Sequence, residues 1–126
     1  MVRFGIIGAG AVVPRGIDDI ASNPDGLIVA VADPNQERAR ELASRYKDVK
    51  VLANAEQLLS ISEIDAVYIA VPNHLHVPIS IMALQAGKHV LLEKPLALSE
   101  EDAKPLVDTI NQSNCHFMLG MNQRFT

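Results

Sequence analysis

Short apolar runs alternate with helix-length amphipathic stretches along the whole chain, and no other sequence feature restricts the possible folds as much. The runs are nearly continuous in apolar residues, which is typical of parallel strands buried on both faces. They span residues 4–7, 27–32, 49–52, 66–71, 89–92 and 117–121. We therefore predict an α/β fold with a doubly wound parallel sheet and the strand order 3-2-1-4-5-6.

The stretches between these runs carry the signals of helix ends. We predict helices at 14–22, 36–46, 55–61 and 75–86, and a further helix that begins after Ser99. Gly87 follows the fourth of these helices, where glycine commonly ends a helix in the left-handed conformation. Ser99 precedes a run of acidic residues, an order that suits an N-cap and the positive end of a helix dipole.

The length of the chain, 126 residues, suits a single domain that spans residues 1–126. The chain stops at Thr126, just past the last predicted strand, without a closing helix. We therefore expect this domain to be truncated from a longer, two-domain protein.

Charge and composition exclude two classes of partner. The formal net charge is −4 and the basic residues are scattered, so we expect no nucleic-acid partner. No window approaches the roughly 18 apolar residues that are needed to span a membrane. The single cysteine, Cys115, excludes an internal disulfide and is typical of a reducing compartment. We expect a cytoplasmic protein without a membrane partner.

The turn after the first strand is rich in glycine. In a doubly wound (Rossmann) domain, such a turn lets backbone N–H groups approach the pyrophosphate of a dinucleotide. The third small position of this fingerprint holds Val13, which predicts a slightly wider loop. We predict that the pyrophosphate is bound by Gly8, Ala9, Gly10, Ala11 and Val12.

An acidic residue ends the second strand. Asp33 lies about 20 residues past the glycine turn, where a carboxylate accepts hydrogen bonds from the adenosine ribose. The same charge repels the 2′-phosphate of NADP, and neither Pro34 nor Asn35 offers a compensating cation. The pattern predicts NAD as the cofactor in preference to NADP, although Asp33 before a proline is also typical of a simple turn.

The chain resembles the Gfo/Idh/MocA oxidoreductases, the family of glucose–fructose oxidoreductase and inositol dehydrogenase. The resemblance covers the whole chain, and Val13 is its one clear departure. It rests on Gly8-Ala9-Gly10, Val31-Ala32-Asp33-Pro34-Asn35, residues 64–73 with His76, residues 86–95 with Glu93-Lys94-Pro95, and residues 120–125.

The resemblance implies roles for the residues that follow the later strands. Lys94 is implied as the catalytic lysine beside the nicotinamide ribose, where an ammonium stabilises negative charge on the substrate oxygen. Glu93 is implied to bind the nicotinamide ribose. The alternatives are a solvated lysine and a surface acid. Further cofactor contacts are implied for Pro34, Val71, Pro72, Asn73, His76, Asn122 and Arg124.

His76 has two interpretations. It contacts the cofactor directly, or it begins the helix and holds the cleft. A metal site with His74 lacks a third ligand in the sequence, so we predict no metal.

Three functions compete at this point. The first is the nucleotide-binding domain of an NAD(H)-dependent dehydrogenase acting on a sugar, cyclitol or related polyol. The second is a non-catalytic sensor of the same family, and the third is a Rossmann domain that binds S-adenosylmethionine. The resemblance implies that the general base and the oligomer interface of a homo-oligomer lie in a C-terminal domain absent from this chain. We expect the fragment alone to be inactive.

Overall fold

A computed structural model describes residues 2–9, 20, 22–93 and 100–120. Six parallel strands form one sheet in the order β3-β2-β1-β4-β5-β6, so the predicted strand order is confirmed. The strands are β1 (Val2–Ile7), β2 (Gly26–Ala32), β3 (Lys50–Leu52), β4 (Ala66–Ile69), β5 (His89–Glu93) and β6 (Phe117–Gly120).

Four α-helices and one 3₁₀ turn connect the strands in the described part of the chain. They are α1 (Gln36–Ala43), α2 (Ala55–Leu59), the 3₁₀ turn Asn73–Leu75, α3 (His76–Gln85) and α4 (Glu100–Gln112). The predicted helix at 14–22 and the Ser99 N-cap lie outside the described residues, apart from Ile20 and Ser22. No helix among the described residues is long and apolar enough to cross a membrane.

The sequence predicted where two helices end, and the structure agrees at Gly87 but not at the end of α1. Gly87 follows α3 with φ +81°, as its position predicts. Helix α1 ends at Ala43 instead of residue 46, because Arg45 and Tyr46 donate to carbonyls three residues earlier rather than four. Such bonds tighten the last turn and end the α-helical geometry.

Neighbouring strand residues point to opposite faces, and each face has its own core. On one face the strands pack against α2, α3 and α4 through buried residues such as Ile69, Leu92, Leu58, Ala83 and Leu106. On the other face Ile6, Val31 and Tyr68 pack with Ala39 and Leu42 of α1. The result is the expected three-layer arrangement, with the sheet in the middle.

On this second face, the side chains of the sheet become more exposed towards β6. Ile6, Tyr68, Leu91 and Met118 stand side by side in register across β1, β4, β5 and β6. Their exposure rises along the row, from 0% at Ile6 and 2% at Tyr68, through a half-buried Leu91, to 64% at Met118. The outer strands therefore present an apolar surface on this side.

One lysine is buried at the opposite end of the sheet from the glycine turn. Lys88, 5% exposed, precedes β5 and donates from Nζ to the carbonyls of Ile61 and Ile64, at 2.8 Å each. These two bonds tie the segment that leads into β4 to the start of β5.

Candidate functional site

Of the residues singled out in the sequence, Gly8, Asp33 and the segment after β4 lie at the carboxyl ends of the central strands. β1 lies between β2 and β4, and the chain crosses from it to β2 on one side and from β3 to β4 on the other. This reversal leaves a crevice above β1 and β4, where doubly wound sheets bind ligands. Gly8, Asp33 and Ala70 are the residues that directly follow β1, β2 and β4.

Gly8 makes the close approach between two strand ends possible. Its φ is +102°, a conformation that side chains disfavour, and its N–H donates to Ala32 O at 2.8 Å. A Cβ atom on Gly8 would collide with the carbonyl group of Ala70 and lie 3.2 Å from Cγ1 of Val71. Glycine at this position therefore lets the segment after β4 lie directly against the turn after β1.

The half-buried carboxylate of Asp33 joins the glycine turn to the end of β2. Its Oδ2 accepts the N–H of Ala9 at 2.7 Å, and its Oδ1 accepts the N–H of Asn35 at 2.7 Å. Each carboxylate oxygen has a second lone-pair site, so both can still accept from a ligand hydroxyl. The orientation of the carboxylate is thus set before any ligand is bound.

Local sequence explains the turn that presents this carboxylate. Pro34 is exposed, and Asn35 caps α1 by accepting the N–H of Arg38 at 3.2 Å. The next residue, Gln36, donates from Nε2 to Asp33 O at 2.7 Å and to Leu52 O at 3.1 Å. Sequence reasoning missed Gln36, since one of its partners belongs to a different strand.

The segment after β4 is held by a buried histidine. His76 is 1% exposed, and its Nε2 lies 2.9 Å from Val71 O. Because a carbonyl oxygen only accepts, Nε2 carries the hydrogen. The N–H of Leu75 closes the turn by donating to Pro72 O at 2.9 Å, and Asn73 begins the 3₁₀ turn. His76 thus contacts the loop that lies against Gly8.

The end of β5 extends this row of strand ends. Glu93 is the last residue of β5 and pairs with Gly120 on β6. The other residues predicted for the site lie outside the described residues, namely Gly10, Ala11, Val12, Lys94, Asn122 and Arg124. Among the residues that are described, no group of three or more His, Cys, Asp or Glu side chains can hold a metal ion.

This arrangement fits a dinucleotide. A preoriented carboxylate with free lone pairs suits the two hydroxyls of a ribose. Ala9, whose N–H lies 2.7 Å from Asp33 Oδ2, places the glycine turn beside that carboxylate, as a pyrophosphate linked to the ribose requires. The described residues therefore bring together the acid and the start of the turn that the fingerprint separates by 24 residues.

Comparison with known proteins identifies the family. Residues 2–121 match the family described as "Oxidoreductase family, NAD-binding Rossmann fold", the Gfo/Idh/MocA family. An uncharacterised oxidoreductase of Rhizobium meliloti is 44% identical over 109 residues, which are 86% of this chain and 33% of that protein. The scyllo-inositol 2-dehydrogenase (NADP(+)) of Bacillus subtilis is 30% identical over 125 residues, 99% of this chain and 38% of that protein.

A solved structure agrees with this assignment. The apo scyllo-inositol dehydrogenase of Lactobacillus casei superposes with a TM-score of 0.92 at 27% identity, covering 100% of this chain and 38% of that one. The chain spans about a third of the length of the curated relatives that it matches. It belongs to the Gfo/Idh/MocA oxidoreductase family and is an NAD-binding Rossmann domain of that family.

Proposed function

From this family membership, we propose that the domain holds NAD(H) for a dehydrogenase that acts on CH–OH groups of a sugar, cyclitol or related polyol. The bond between Asp33 and Ala9 carries the proposal, because a carboxylate suited to ribose hydroxyls lies beside the glycine turn that is proposed for the pyrophosphate. Bound cofactor would supply the hydride acceptor or donor. The chain's own residues would bind and orient it.

NAD is proposed over NADP on the charge of Asp33. Both carboxylate oxygens are held by backbone N–H groups at 2.7 Å, so the carboxylate cannot turn away from a 2′-phosphate without losing them. Pro34 and Asn35 bring no positive charge to this turn. The Bacillus subtilis relative is named as NADP-dependent, so the choice of NAD rests on the charge of Asp33 and not on family membership.

The remaining site residues are assigned as the family membership implies, and residues 10–12, 94, 122 and 124 among them lie outside the described residues. The pyrophosphate is assigned to residues 8–12, and the adenosine ribose to Asp33 with Pro34. Val71, Pro72 and Asn73 would line the crevice above β4, with His76 behind them. Glu93 and Lys94 would meet the nicotinamide ribose, Lys94 stabilising negative charge on the substrate oxygen. Asn122 and Arg124 would complete this end of the site.

We further propose that the native protein is longer, with a second domain that completes the substrate site. Two observations support this. The relatives are about three times as long as this chain. Met118 and Leu91 leave the outer sheet apolar and partly uncovered, as expected for a surface that another part of a protein covers. We expect this second domain to carry the general base and the contacts of a homo-oligomer, and we expect the protein to be cytoplasmic. These remain predictions.

Direct titration tests the proposed ligand. NADH, NADPH and S-adenosylmethionine are each titrated into the purified chain, with binding followed by calorimetry. We expect NADH to bind most tightly and S-adenosylmethionine not at all. Gly10→Val is expected to abolish NADH binding in a folded domain, since a branched side chain would block the approach of the pyrophosphate. Equal or tighter binding of NADPH would overturn the assignment of NAD.

A further inference from the structure

Gln36 is the side chain that connects the ends of β2 and β3 above the last paired residues. The sheet pairing of these strands ends at Ala32 and Leu52. Beyond it, the N–H of Asp33 reaches Leu52 O only at 3.4 Å, which is a long bond. The Gln36 carboxamide donates to both Asp33 O, at 2.7 Å, and Leu52 O, at 3.1 Å.

Chemistry fixes which way this carboxamide points. Both of its partners are carbonyl oxygens, which only accept hydrogen bonds. The NH₂ group has two hydrogens, one for each carbonyl, whereas the amide oxygen in that place would face two other oxygens. Gln36 therefore acts as a double donor, and no carboxylate can replace it.

The position of the Asp33 peptide decides where its carboxylate lies. Asp33 is the first residue after β2, so its backbone is no longer held by a regular ladder. Its side chain is fixed by the N–H groups of Ala9 and Asn35, and its carbonyl is fixed by Gln36. Loss of the Gln36 contact would release the bond that ties the Asp33 carbonyl to the first residue of α1.

We propose that Gln36 is a positioning residue for the cofactor ribose and a determinant of cofactor preference, and that it acts through Asp33. The proposal rests on the proposed function, because it presumes that Asp33 binds the ribose of NAD(H). Gln36 contacts no ligand in this scheme. It holds the Asp33 peptide so that the carboxylate accepts from the ribose hydroxyls and opposes a 2′-phosphate.

Two substitutions separate this role from general stability. Gln36→Leu keeps the size of the side chain but has no donor, and we expect it to weaken NADH binding about tenfold. Gln36→Glu sets a carboxylate against two carbonyls, yet adds an acid to the first turn of α1, which favours the helix. In both variants we expect NADH to bind more weakly and the preference for NADH over NADPH to become smaller. In Gln36→Glu we expect no parallel loss of thermal stability.

Gln57 supplies the matched control. It is also a glutamine in the first turn of a helix that follows a strand, but its Oε1 accepts the N–H of Ala53 at 2.9 Å. A glutamate keeps that acceptor, so Gln57→Glu should leave NADH affinity and preference unchanged. An equal loss of affinity in Gln57→Glu and Gln36→Glu would show a nonspecific effect of charge and overturn the proposal.

A double-mutant cycle tests whether Gln36 acts through Asp33. In the Asp33→Ala background, Gln36→Leu is expected to change NADH affinity less than about twofold, because the group it positions is gone. Additive losses would overturn the inference while leaving the proposed function intact. Failure of the unmodified chain to bind NADH at all would instead overturn the proposed function, so the two failures are distinguishable.

Discussion

The carboxylate of Asp33 accepts the backbone N–H of Ala9 at 2.7 Å, across 24 residues of chain. One bond thus joins the residue that directly follows β2 to the glycine turn that follows β1. The carboxylate that is proposed to bind the ribose also holds, through Oδ2, the turn proposed to bind the pyrophosphate. The proposed cofactor preference and the shape of the turn therefore depend on the same side chain.

This coupling predicts the effect of Asp33→Ala. Removing the carboxylate loses the acceptors for the ribose and for Ala9, so the Kd for NADH should rise about ten- to hundredfold. NADPH gains from the loss of a repulsive charge but also meets a less ordered turn. The difference in affinity between NADH and NADPH should become smaller, mainly because NADH binds more weakly. Calorimetric titration of both cofactors measures this.

Asp108→Ala is the control for charge alone, since Asp108 is exposed on α4. It should bind both cofactors as the unmodified chain does. If Asp33→Ala retained NADH affinity, Asp33 would be an ordinary turn residue and its ribose assignment would be wrong.

Substitutions at Gly8 and Gly87 compare the free-energy cost of adding a side chain at two positions. Both have positive φ, +102° and +81°, but a Cβ on Gly8 collides with Ala70 whereas one on Gly87 meets nothing within 4 Å. Gly87→Ala should cost about 1 kcal/mol of unfolding free energy, the backbone term alone. Gly8→Ala should cost about 3 kcal/mol or more, because a steric term is added.

Urea unfolding of the two glycine variants measures both costs. NADH affinity, measured where both variants remain folded, should fall only for Gly8→Ala. Equal destabilisation by the two substitutions would mean that the segment after β4 does not lie against Gly8.

Substitution of His76 should affect the loop that follows β4. His76→Phe keeps a ring in this buried position but leaves Val71 O without the Nε2 donor, at a cost of about 1–3 kcal/mol in stability. Because Val71 lies against Gly8, NADH should also bind more weakly. Thermal unfolding and titration follow the two effects.

His74→Phe is the appropriate comparison, since His74 is exposed on the preceding 3₁₀ turn. It should change neither quantity appreciably. Unaltered stability in His76→Phe would show that the bond to Val71 contributes little.

The last prediction is that the 126-residue chain binds cofactor without turning substrate over. Hydride transfer requires the reacting carbons to be held about 3–3.5 Å apart in a closed site. Lys94 is proposed to supply one side of that site, and the proposed second domain the other. The chain is incubated with NAD and a panel of sugars and inositols, and NADH is followed by its near-ultraviolet absorbance.

A matched sample of a full-length relative, assayed in parallel, shows that the substrate panel is adequate. Turnover by the short chain at ordinary enzymatic rates would show that the domain is self-sufficient and that no second domain is needed for chemistry.

Local pattern was enough to predict the architecture. Continuous apolar runs identify buried parallel strands, and the handedness of their connections leaves few possible strand orders. Gly8 and Asp33 could be selected as candidates because the roles proposed for them depend on position relative to strand ends, and those ends are visible in the apolar periodicity. Gly87 was predictable for the same reason, since a helix end needs a local conformation.

Contacts between distant segments were decided only by the tertiary structure. Lys88 is an ordinary basic residue in the sequence, yet it is buried and bound to Ile61 O, 27 residues away. Gln36 carries no motif, but its carboxamide reaches Leu52 O, 16 residues away, as well as Asp33 O. Backbone carbonyls look the same at every position of a sequence. Which side chain donates to which carbonyl therefore depends on how the sheet brings the strand ends together.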